Sequence, residues 1–255
     1  MGWEHKAVIV TGAGGGIGRA IALRFASAGA SVVLVGRTYA KVQAVTDEIV
    51  TGGGRAIAVA ADVSAEDDVA RVIQETLRSF GRIDVMVNNA AVCPQVRLHD
   101  MSLSQWNQVI TNNLTSVFLF CRAVIPSMLA QGGGAIVNVS SVHALATLDG
   151  YAAYSASKAG IVGLTRAIAL DYAKQNIRAN TVLPGAVQTP MLESSVRNLD
   201  TPRDEIMRQW DQSQPVGRVG QPEEIASVVL FAASPDNSFM TGATLVADGG
   251  MTAEL

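Results

Sequence analysis

Residues 7–18 read AVIVTGAGGGIG, and this stretch decides the fold. Its first half is an unbroken apolar run rich in Val and Ile, which is typical of a strand covered on both faces. The glycine-rich half leads into residues 17–28, whose apolar positions recur at helical spacing. Backbone amides at the start of such a helix bind phosphate, and glycines let a phosphate group approach the main chain. The stretch therefore predicts a strand–turn–helix unit that holds a phosphate-bearing ligand; the alternative is a tight turn without one.

The same alternation of short apolar runs and longer helical patterns continues along the chain. It predicts a parallel sheet with helices on both faces. The expected fold class is therefore α/β, a Rossmann-type doubly wound parallel sheet of about seven strands, with residues 1–255 forming a single domain. Residues 189–220, rich in proline and polar side chains, are interpreted as a substrate loop or lid. The predicted strands are residues 7–10, 32–35, 56–60, 83–87, 135–139, 179–183 and 244–247, and the predicted helices include residues 17–28, 40–50, 66–80, 151–174 and 222–233.

Composition excludes several classes of protein. Of the 255 residues, 49% are hydrophobic and 16% are charged, so the chain can form a large core and is not disordered. The net charge of −3 argues against a general nucleic-acid binder, which needs a basic excess. Neither of the two cysteines has a Cys or His at metal-ligand spacing, so no metal site is predicted. No secretory leader and no membrane-spanning segment are recognisable, and we expect a cytoplasmic protein.

The end of the second predicted strand bears on the choice of cofactor. In NAD-binding domains an acidic residue there commonly holds the ribose hydroxyls. Here Gly36 occupies that position and Arg37 follows it. A guanidinium can bind a 2′-phosphate through two hydrogen bonds, so NADP is favoured over NAD. The alternative is that Arg37 is a solvated surface charge, and Gly15 weakens the case for NADP because many NADP-binding turns carry a basic residue of their own.

A tyrosine and a lysine lie four residues apart in the longest helical pattern. Tyr154 and Lys158 share one helix face at this spacing, with Cβ atoms about 5–6 Å apart. The pKa of a phenol is about 10 in water, and a neighbouring ammonium group together with an oxidised nicotinamide would lower it. Tyr154 is therefore a candidate proton donor and acceptor. On its own, such a pair is also a common accident of helix surfaces.

Together with other motifs, this pair makes the sequence resemble the short-chain dehydrogenase/reductase family over essentially its whole length. The motifs stand in the family's order and at its spacing. Ala91, where the family has the last glycine of NNAG, is the one departure, and it adds a methyl group near the cofactor. The matching motifs are TGAGGGIG at residues 11–18, Asp62-Val63, NNAA at residues 88–91, Asn113-Leu114, Val139-Ser140-Ser141, YSASK at residues 154–158, Pro184-Gly185 with Thr189, and Asp248-Gly249-Gly250.

The resemblance implies an NAD(P)-dependent oxidoreductase acting on CH–OH groups and gives roles to single residues. Ser141, thirteen residues before Tyr154, is favoured over Ser140 as the serine that hydrogen-bonds the substrate oxygen. Tyr154 would transfer the proton, and Lys158 would hold the nicotinamide ribose and lower the pKa of Tyr154. Asn113 would hold a water that links Lys158 to solvent. The residues implied in cofactor binding are Gly12, Gly14, Gly15, Gly16, Ile17, Gly18, Arg37, Asp62, Val63, Asn89, Ala90, Tyr154, Lys158, Pro184, Gly185, Val187 and Thr189.

The substrate is less constrained than the reaction. We favour a free small molecule such as a sugar, a polyol or a cyclic alcohol or ketone, because several polar side chains follow the motif positions. His143 either binds a substrate hydroxyl or is satisfied by a main-chain carbonyl. The candidate substrate contacts are Gln95, His143, Tyr151 and Trp210, with Cys93, Leu145 and Met191 at similar positions.

Two other functions stay open at this point. One is a 3-oxoacyl-thioester reductase, although residues 127–132 (SMLAQG) carry no charge where carrier-linked members of the family have basic residues that dock the acyl carrier protein. The other is a non-catalytic regulator that senses the cofactor, although such proteins usually lose part of the Asn–Ser–Tyr–Lys tetrad, which is complete here. The resemblance also implies a homotetramer, with residues 105–122, residues 151–174 and the last helix and strand at its interfaces. We expect a small-molecule substrate as a partner, and neither nucleic acid nor a membrane.

Overall fold

A computed structural model describes residues 2–196 and 203–253. The strands are β1 (Ala7–Thr11), β2 (Ser31–Gly36), β3 (Arg55–Ala60), β4 (Val85–Asn88), β5 (Gly134–Val139), β6 (Ile177–Pro184) and β7 (Thr244–Ala247). They form one seven-stranded sheet in the order β3-β2-β1-β4-β5-β6-β7, and every pair is parallel. The predicted α/β class, the doubly wound parallel sheet and the number of strands are confirmed.

Helices cover both faces of the sheet, as predicted for strands that are apolar throughout. One core cluster holds side chains of α1, α2 and α9, with Phe25 and Val229 fully buried. A second cluster on the other face holds side chains of α3, α5 and α6, with Phe120 and Ile161 at its centre. The helices are α1 (Gly16–Ser27), α2 (Tyr39–Thr51), α3 (Glu66–Phe80), α4 (Leu103–Ile110), α5 (Ser116–Ala130), α6 (Ala152–Tyr172), α7 (Pro190–Val196), α8 (Arg203–Gln212) and α9 (Pro222–Ala233).

A π-helical turn, Thr111–Thr115, joins α4 to α5 and was not predicted from the sequence. Such turns hold one extra residue per turn and are frequent at functional sites. The continuous helix Leu103–Ala130 is long and apolar enough to cross a membrane by length and composition, but half of it is buried inside the fold. Its apolar character is explained by packing of α5 on the sheet, where Phe120 and Val124 are fully buried.

The predicted lid, residues 189–220, contains α7 and α8. Residues 197–202 of this segment lie outside the described residues. Both ends of the segment are tied together, because Val187 forms a parallel bridge with Gly220 and the Gln188 N–H donates to the Gly220 carbonyl at 2.8 Å. The segment therefore leaves the carboxyl end of β6 and returns to it. A role as a lid stays a prediction.

The fold collects the predicted site residues at one edge of the sheet. Gly12 follows β1, Asn89 follows β4, Ser141 follows β5 and Gly185 follows β6. Because all strands are parallel, their carboxyl ends lie at the same edge. Ligands bind at this edge in open α/β sheets, where the strand order reverses. Here the reversal lies between β1 and β4.

Candidate active site

The turn after β1 has the shape and the open amides that a phosphate group needs. Gly12 and Gly16 have φ of +67° and +52°, in the left-handed region that favours glycine. A Cβ on Gly18 would lie 2.2 Å from the carbonyl oxygen of Gly12, so this position also requires glycine. The helix α1 starts without a side-chain cap and without an acid in its first turn. Its first N–H groups can therefore bind an anion.

Thr11 and Asn89 hold this turn from the neighbouring strand. The main-chain N–H groups of Asn89 and Ala90 donate to Oγ1 of Thr11 at 2.9 and 3.1 Å. Nδ2 of Asn89 donates to the carbonyl oxygen of Thr11 at 2.9 Å. Asn89 therefore positions the chain before Gly12, and its predicted contact with the cofactor stays a prediction.

The opposite side of the site follows β6. A Cβ on Gly16 would lie 3.2 Å from Cγ2 of Thr189, so the glycine turn and Thr189 face each other closely. A Cβ on Gly185 would lie 2.8 Å from Cα of Asp248, so the Pro184-Gly185 turn packs directly on the closing DGG turn. The structure thus brings motifs from the two ends of the chain to one place.

Two basic residues follow β2, whose Val35 carbonyl accepts from the Ala13 N–H of the glycine turn at 3.1 Å. Arg37 is close enough to Asp62 to help lower the pKa of that carboxyl, although the hydrogen bonds from Ser64 are the larger cause. Those bonds, from the Ser64 N–H and Oγ to Oδ1 of Asp62, measure 2.9 and 2.6 Å. Lys41, on α2, packs on the turn, since a Cβ on Gly14 would lie 3.0 Å from Cβ of Lys41. Sequence reasoning missed Lys41 because only the folded chain brings α2 against the turn.

Ser141 and Tyr154 face each other at the carboxyl end of β5. Tyr154 is only 8% exposed, and burial raises its pKa above the ordinary value of 10, against a smaller opposite effect of its hydrogen bond with Ser141. The phenol is therefore protonated at neutral pH. Ser140 points the other way and donates to the carbonyl oxygen of Lys158 at 2.8 Å. Of the two adjacent serines, Ser141 is the one beside the phenol.

Lys158 is almost completely buried next to this pair. Its Nζ donates to the carbonyl oxygen of Val139 at 3.0 Å and lies 5.5 Å from the centre of the Tyr154 ring. Burial lowers the pKa of Lys158 to about 8, so the amine is still mostly charged at neutral pH. The sequence argument predicted that Lys158 would lower the pKa of Tyr154. In the structure, burial is the larger effect on both groups: it raises the pKa of Tyr154 and lowers that of Lys158, so the two pKa values move apart.

Asn113 lies in the π-helical turn and is fully buried. Its Oδ1 accepts from the Val92 N–H at 2.8 Å, and its Nδ2 donates to the Val92 carbonyl at 2.9 Å and to Oγ of Ser157 at 3.1 Å. Ser157 in turn donates to the carbonyl oxygen of Tyr154 at 2.7 Å. The side chain of Asn113 therefore connects the segment after β4 to the helix that carries Tyr154. A relay water held by Asn113 stays a prediction.

His143 and Tyr151 form an aromatic wall around the phenol. The His143 ring centre lies 4.8 Å from that of Tyr151 and 5.4 Å from that of Tyr154. Nδ1 of His143 is hydrogen-bonded to Oγ1 of Thr147 at 2.8 Å, and that hydroxyl is also bonded to Oγ of Ser155 at 2.6 Å. Burial lowers the pKa of His143, which keeps the imidazole neutral at pH 7. The partner of Nδ1 is thus a hydroxyl and not the main-chain carbonyl of the second alternative.

A cavity of about 350 Å³ is lined in part by the segment after β4. Cys93 lines it and is close enough to Lys158, Tyr151 and Tyr154 to influence their pKa values. Burial raises the pKa of the Cys93 thiol to about 12, so Cys93 is a neutral, weakly polar lining residue. The lining residues are Val92, Cys93, Pro94, Gln108, Met191 and Ser194.

Two of the predicted substrate-contact residues, Gln95 and Trp210, do not line this cavity. Gln95 is exposed, and its Nε2 donates to the carbonyl oxygen of Asp149 at 3.3 Å, so it braces the loop before Tyr151. Trp210 is half-buried in α8, where its carbonyl oxygen accepts from Oγ of Ser213 at 2.8 Å. Neither lines the cavity, and their contact with substrate stays a prediction. Over the described parts of the chain, no group of three or more His, Cys, Asp or Glu side chains could hold a metal ion.

Comparison with known proteins decides the family. Residues 12–252 match a protein-family model described as enoyl-(acyl carrier protein) reductase. The crystal structure of a short-chain type dehydrogenase/reductase from Mycobacterium marinum has a TM-score of 0.93 and 34% identity, covering 99% of this chain and 98% of that one. The chain belongs to the short-chain dehydrogenase/reductase family. As a short-chain dehydrogenase/reductase, it is an NAD(P)-dependent oxidoreductase acting on CH–OH groups.

Two relatives within the short-chain dehydrogenase/reductase family have named activities. Cyclohexanol dehydrogenase of Acinetobacter sp. (strain SE19) is 38% identical over 253 residues, which are 99% of this chain and 97% of that protein. The crystal structure of levodione reductase has a TM-score of 0.95 and 35% identity, and each chain covers 99% of the other. Both names describe those proteins, and both are similar to this chain over its whole length.

Proposed function

We propose that this chain is an NADP-dependent oxidoreductase that interconverts a secondary alcohol and a ketone on a free cyclic molecule, with Tyr154 as the acid and base. The observation that carries the proposal is the buried group of Ser141, Tyr154 and Lys158 at the carboxyl end of β5. It lies at the same edge of the sheet as the glycine turn. The named activities of cyclohexanol dehydrogenase and levodione reductase support a cyclic substrate.

The residues present fit a nicotinamide dinucleotide. The start of α1 offers uncapped amides, and the left-handed Gly12 and Gly16 leave room for a pyrophosphate. Thr189 faces this turn from the β6 side, where the resemblance implies the nicotinamide carboxamide. When bound, this cofactor supplies the hydride chemistry that no side chain provides.

The side chains perform the proton transfer. In ketone reduction, Tyr154 donates its phenolic proton to the substrate oxygen, because burial keeps the phenol protonated. Ser141 donates its one hydroxyl hydrogen to the same oxygen, in place of its hydrogen bond with the phenol. Lys158 keeps a positive charge behind Tyr154 and stabilises the phenolate that is left. Alcohol oxidation uses the same groups in reverse, with the phenolate accepting the proton.

The preference for NADP rests on two cations. Arg37 stands at the carboxyl end of β2 and Lys41 packs on the glycine turn. Together they offer a guanidinium and an ammonium to a 2′-phosphate. Gly36 supplies no carboxylate that would repel that phosphate. The glycine turn has no basic residue of its own, and Lys41 would supply that positive charge from α2.

The aromatic wall and Cys93 favour a compact substrate with one further polar group. Tyr151 and His143 offer ring faces, while Cys93 adds a neutral thiol on the side of the cavity. Because Nδ1 of His143 is occupied by Thr147, the remaining ring nitrogen, Nε2, is the atom that would bind a second oxygen of the substrate. A ring with an oxygen substituent opposite the reacting carbon satisfies both requirements.

The two other candidate functions are less well supported. An acyl-carrier-linked reductase is disfavoured because residues 127–132 of this chain are uncharged, where such enzymes have the basic residues that dock the carrier protein. A cofactor-sensing regulator without activity has no need for a complete tetrad of Asn113, Ser141, Tyr154 and Lys158. We therefore place both behind the free cyclic substrate.

We also propose that the enzyme is a cytoplasmic homotetramer. Large apolar side chains are exposed on the elements that the resemblance assigns to the interfaces, and a closed symmetric assembly would cover them. Size-exclusion chromatography with light scattering measures the number of copies. A monomer at micromolar concentration would contradict the homotetramer. The exposed side chains are Leu103, Phe118, Leu129 and Leu170 on α4, α5 and α6, and Phe231, Phe239 and Val246 around α9 and β7.

The test of the proposed function combines binding and turnover. NADPH and NADH are titrated into the wild type, Arg37→Ala and Lys41→Ala, with Arg24→Ala as a control because Arg24 lies at the far end of α1. Turnover is then scanned over cyclic alcohols and diketones, sugars, polyols and 3-oxoacyl thioesters. Tight NADPH binding that only Arg37→Ala and Lys41→Ala weaken, with the fastest turnover on cyclic substrates, is expected. Preference for NADH contradicts the NADP assignment, and faster turnover of thioesters contradicts the substrate.

A further inference from the structure

A second cavity lies at the opposite edge of the sheet from the active site, across the amino ends of the strands. It has a volume of about 160 Å³, which is room for about five water molecules at roughly 30 Å³ each. We call it the amino-edge cavity. Its lining side chains are His5, Lys6, Ser31, Arg55, Phe80 and Arg82.

Strand register brings the lining residues together. Ala7, Ser31 and Arg55 are direct partners across β1, β2 and β3, so they form one row at the sheet edge. Neighbouring strands are about 4.8 Å apart, which places Ser31 in the middle, between Arg55 on one side and the start of β1 on the other. Residues far apart in the sequence thus converge on a space that a small ligand can fill.

Positive charge exceeds negative charge around this cavity. Asp84 does not line the cavity but pairs with two of its cations, since it accepts hydrogen bonds from Nζ of Lys6 at 3.1 Å and from Nε and Nη2 of Arg82 at 2.6 Å each. One carboxylate therefore forms ion pairs with two cations and neutralises only one of their two charges. The lining residues include no acid. Glu4, the nearest acid in sequence, lies against Gly29 instead.

Arg55 adds a third cation with no carboxylate partner among the described residues. Its guanidinium carbon lies 5.4 Å from the centre of the Phe80 ring, within the range of a cation–π contact. A guanidinium has five N–H groups, and the stacking on Phe80 uses none of them. Arg82 also keeps three N–H groups after its two bonds to Asp84, and Lys6 keeps two.

Ser31 adds a neutral hydrogen-bonding group to the cations of the cavity. It is 4% exposed and lines the cavity, yet its hydroxyl makes no hydrogen bond to any residue that the structure describes. The hydroxyl oxygen is accessible from the cavity, so it can donate to a molecule there. In addition, His5 is held at φ +66°, a left-handed conformation that residues other than glycine rarely adopt. Strained backbone of this kind is concentrated at binding sites.

We propose that the amino-edge cavity binds a phosphate-type oxyanion, either inorganic phosphate or the phosphate group of a small monoester. Arg55 and Arg82 supply the N–H groups that match phosphate oxygens, Lys6 supplies a further charge, and Ser31 donates its hydroxyl hydrogen. The site is separate from the cofactor site, since it lies at the amino ends of β1, β2 and β3. Through it, phosphate stabilises the folded protein by mass action.

Calorimetric titration of inorganic phosphate at constant ionic strength tests the proposal. The wild type is compared with Arg55→Gln and Ser31→Ala, and with Arg37→Ala as a matched control at the cofactor edge. Loss of one charge-assisted hydrogen-bonding group should weaken phosphate binding about ten-fold in Arg55→Gln. Ser31→Ala should weaken it less, and Arg37→Ala should leave it unchanged. Separate titrations with glycerol phosphate and with acetate distinguish a monoester from the free ion, and phosphate from a carboxylate.

Thermal unfolding gives a second readout that does not depend on activity. Phosphate should raise the melting temperature of the wild type and of Arg37→Ala, and should raise that of Arg55→Gln much less. Absence of saturable binding to the wild type overturns the proposal. So does binding that survives Arg55→Gln and disappears in Arg37→Ala, because the phosphate would then occupy the cofactor site. Tighter binding of acetate than of phosphate would reject the assigned chemistry.

Discussion

The hydroxyl of Ser140 donates a hydrogen bond to the main-chain carbonyl oxygen of Lys158 at 2.8 Å. This bond ties the end of β5 to the helix α6, which carries Tyr154 four residues before Lys158. Successive side chains of an extended segment point in opposite directions. Ser141 therefore faces the phenol while Ser140 secures the helix that presents it. One serine is placed for chemistry and its neighbour for alignment.

Matched alanine substitutions of Ser141 and Ser140 should affect turnover and stability differently. Ser141→Ala is expected to lower turnover about a hundred-fold, because it removes a hydroxyl that touches the substrate oxygen, and to change stability little. Ser140→Ala should cost about 1 kcal/mol of unfolding free energy by removing the hydrogen bond that ties β5 to the Lys158 carbonyl of α6, with a smaller loss of turnover. Steady-state kinetics and urea unfolding measure the two effects. Equal losses of turnover would show that the serines do not have the proposed roles.

Removal of the phenolic hydroxyl should abolish turnover and spare cofactor binding. Tyr154→Phe keeps the buried ring but loses the proton, so a decrease in kcat of about a thousand-fold or more is expected. The dissociation constant for NADPH should stay close to that of the wild type. Stopped-flow fluorescence and steady-state assays check both quantities. Substantial remaining turnover would mean that another group donates the proton.

Asn113 should contribute more to the stability of the fold than its neighbour Asn112. Asn113→Ala removes three hydrogen bonds and leaves both main-chain groups of Val92 without their partner. The expected loss of unfolding free energy is about 2–4 kcal/mol. Asn112 bonds only the Gln108 carbonyl, so Asn112→Ala should cost about 1 kcal/mol or less. Thermal or urea unfolding measures both losses. Equal stabilities of the two variants would contradict the role of Asn113 in connecting the segment after β4 to α6.

His143 should affect substrate binding more than the chemical step. His143→Phe keeps an aromatic ring against Tyr151 and Tyr154 but removes both ring nitrogens. We expect KM for a cyclic diketone to rise about ten-fold, with kcat changing much less. Thr147→Val is the control, since it keeps the imidazole and removes the hydroxyl that is bonded to Nδ1 and to Oγ of Ser155. A fall in kcat at unchanged KM in His143→Phe would place His143 in the proton transfer instead.

Acid should weaken the fold through Asp84. Burial alone would raise the pKa of this carboxyl, but the hydrogen bonds from Arg82, Ala7 and Lys6 outweigh it and lower the pKa below the ordinary 3.8. A carboxyl with a lowered folded pKa stabilises the protein above its unfolded pKa, and this contribution is lost as the pH falls through the folded pKa. Asp84→Asn should therefore cost about 1–3 kcal/mol near pH 7 and progressively less below about pH 4.

Urea unfolding at several pH values measures this contribution. Asp67→Asn controls for the change in net charge, because Asp67 is exposed in the first turn of α3. A stability difference between Asp84→Asn and the wild type that stays constant down to pH 3 would mean that the titration of Asp84 does not contribute.

The sequence alone determined the fold and the position of the site along it. Each strand is an unbroken apolar run because helices cover both faces, so the seven strands could be recognised locally, and β7 and α3 were predicted to the residue. The glycine turn and the pairing of Tyr154 with Lys158 could be predicted from the residues themselves, whereas Ser141 was chosen from the family resemblance. Sequence did not show the π-helical turn that buries Asn113, since nothing in its local pattern differs from an ordinary helix.

Only the tertiary structure decided the features that depend on burial and on contacts between distant segments. The pKa of Tyr154 is raised and that of Lys158 lowered because the fold removes both from water, and spacing along a helix carries no information on this. Lys41 reaches the glycine turn, and Arg55 meets Ser31 and the start of β1, only through packing and strand register. Local sequence patterns determine which elements form; the distances between their side chains are set when the sheet and its two helix layers assemble.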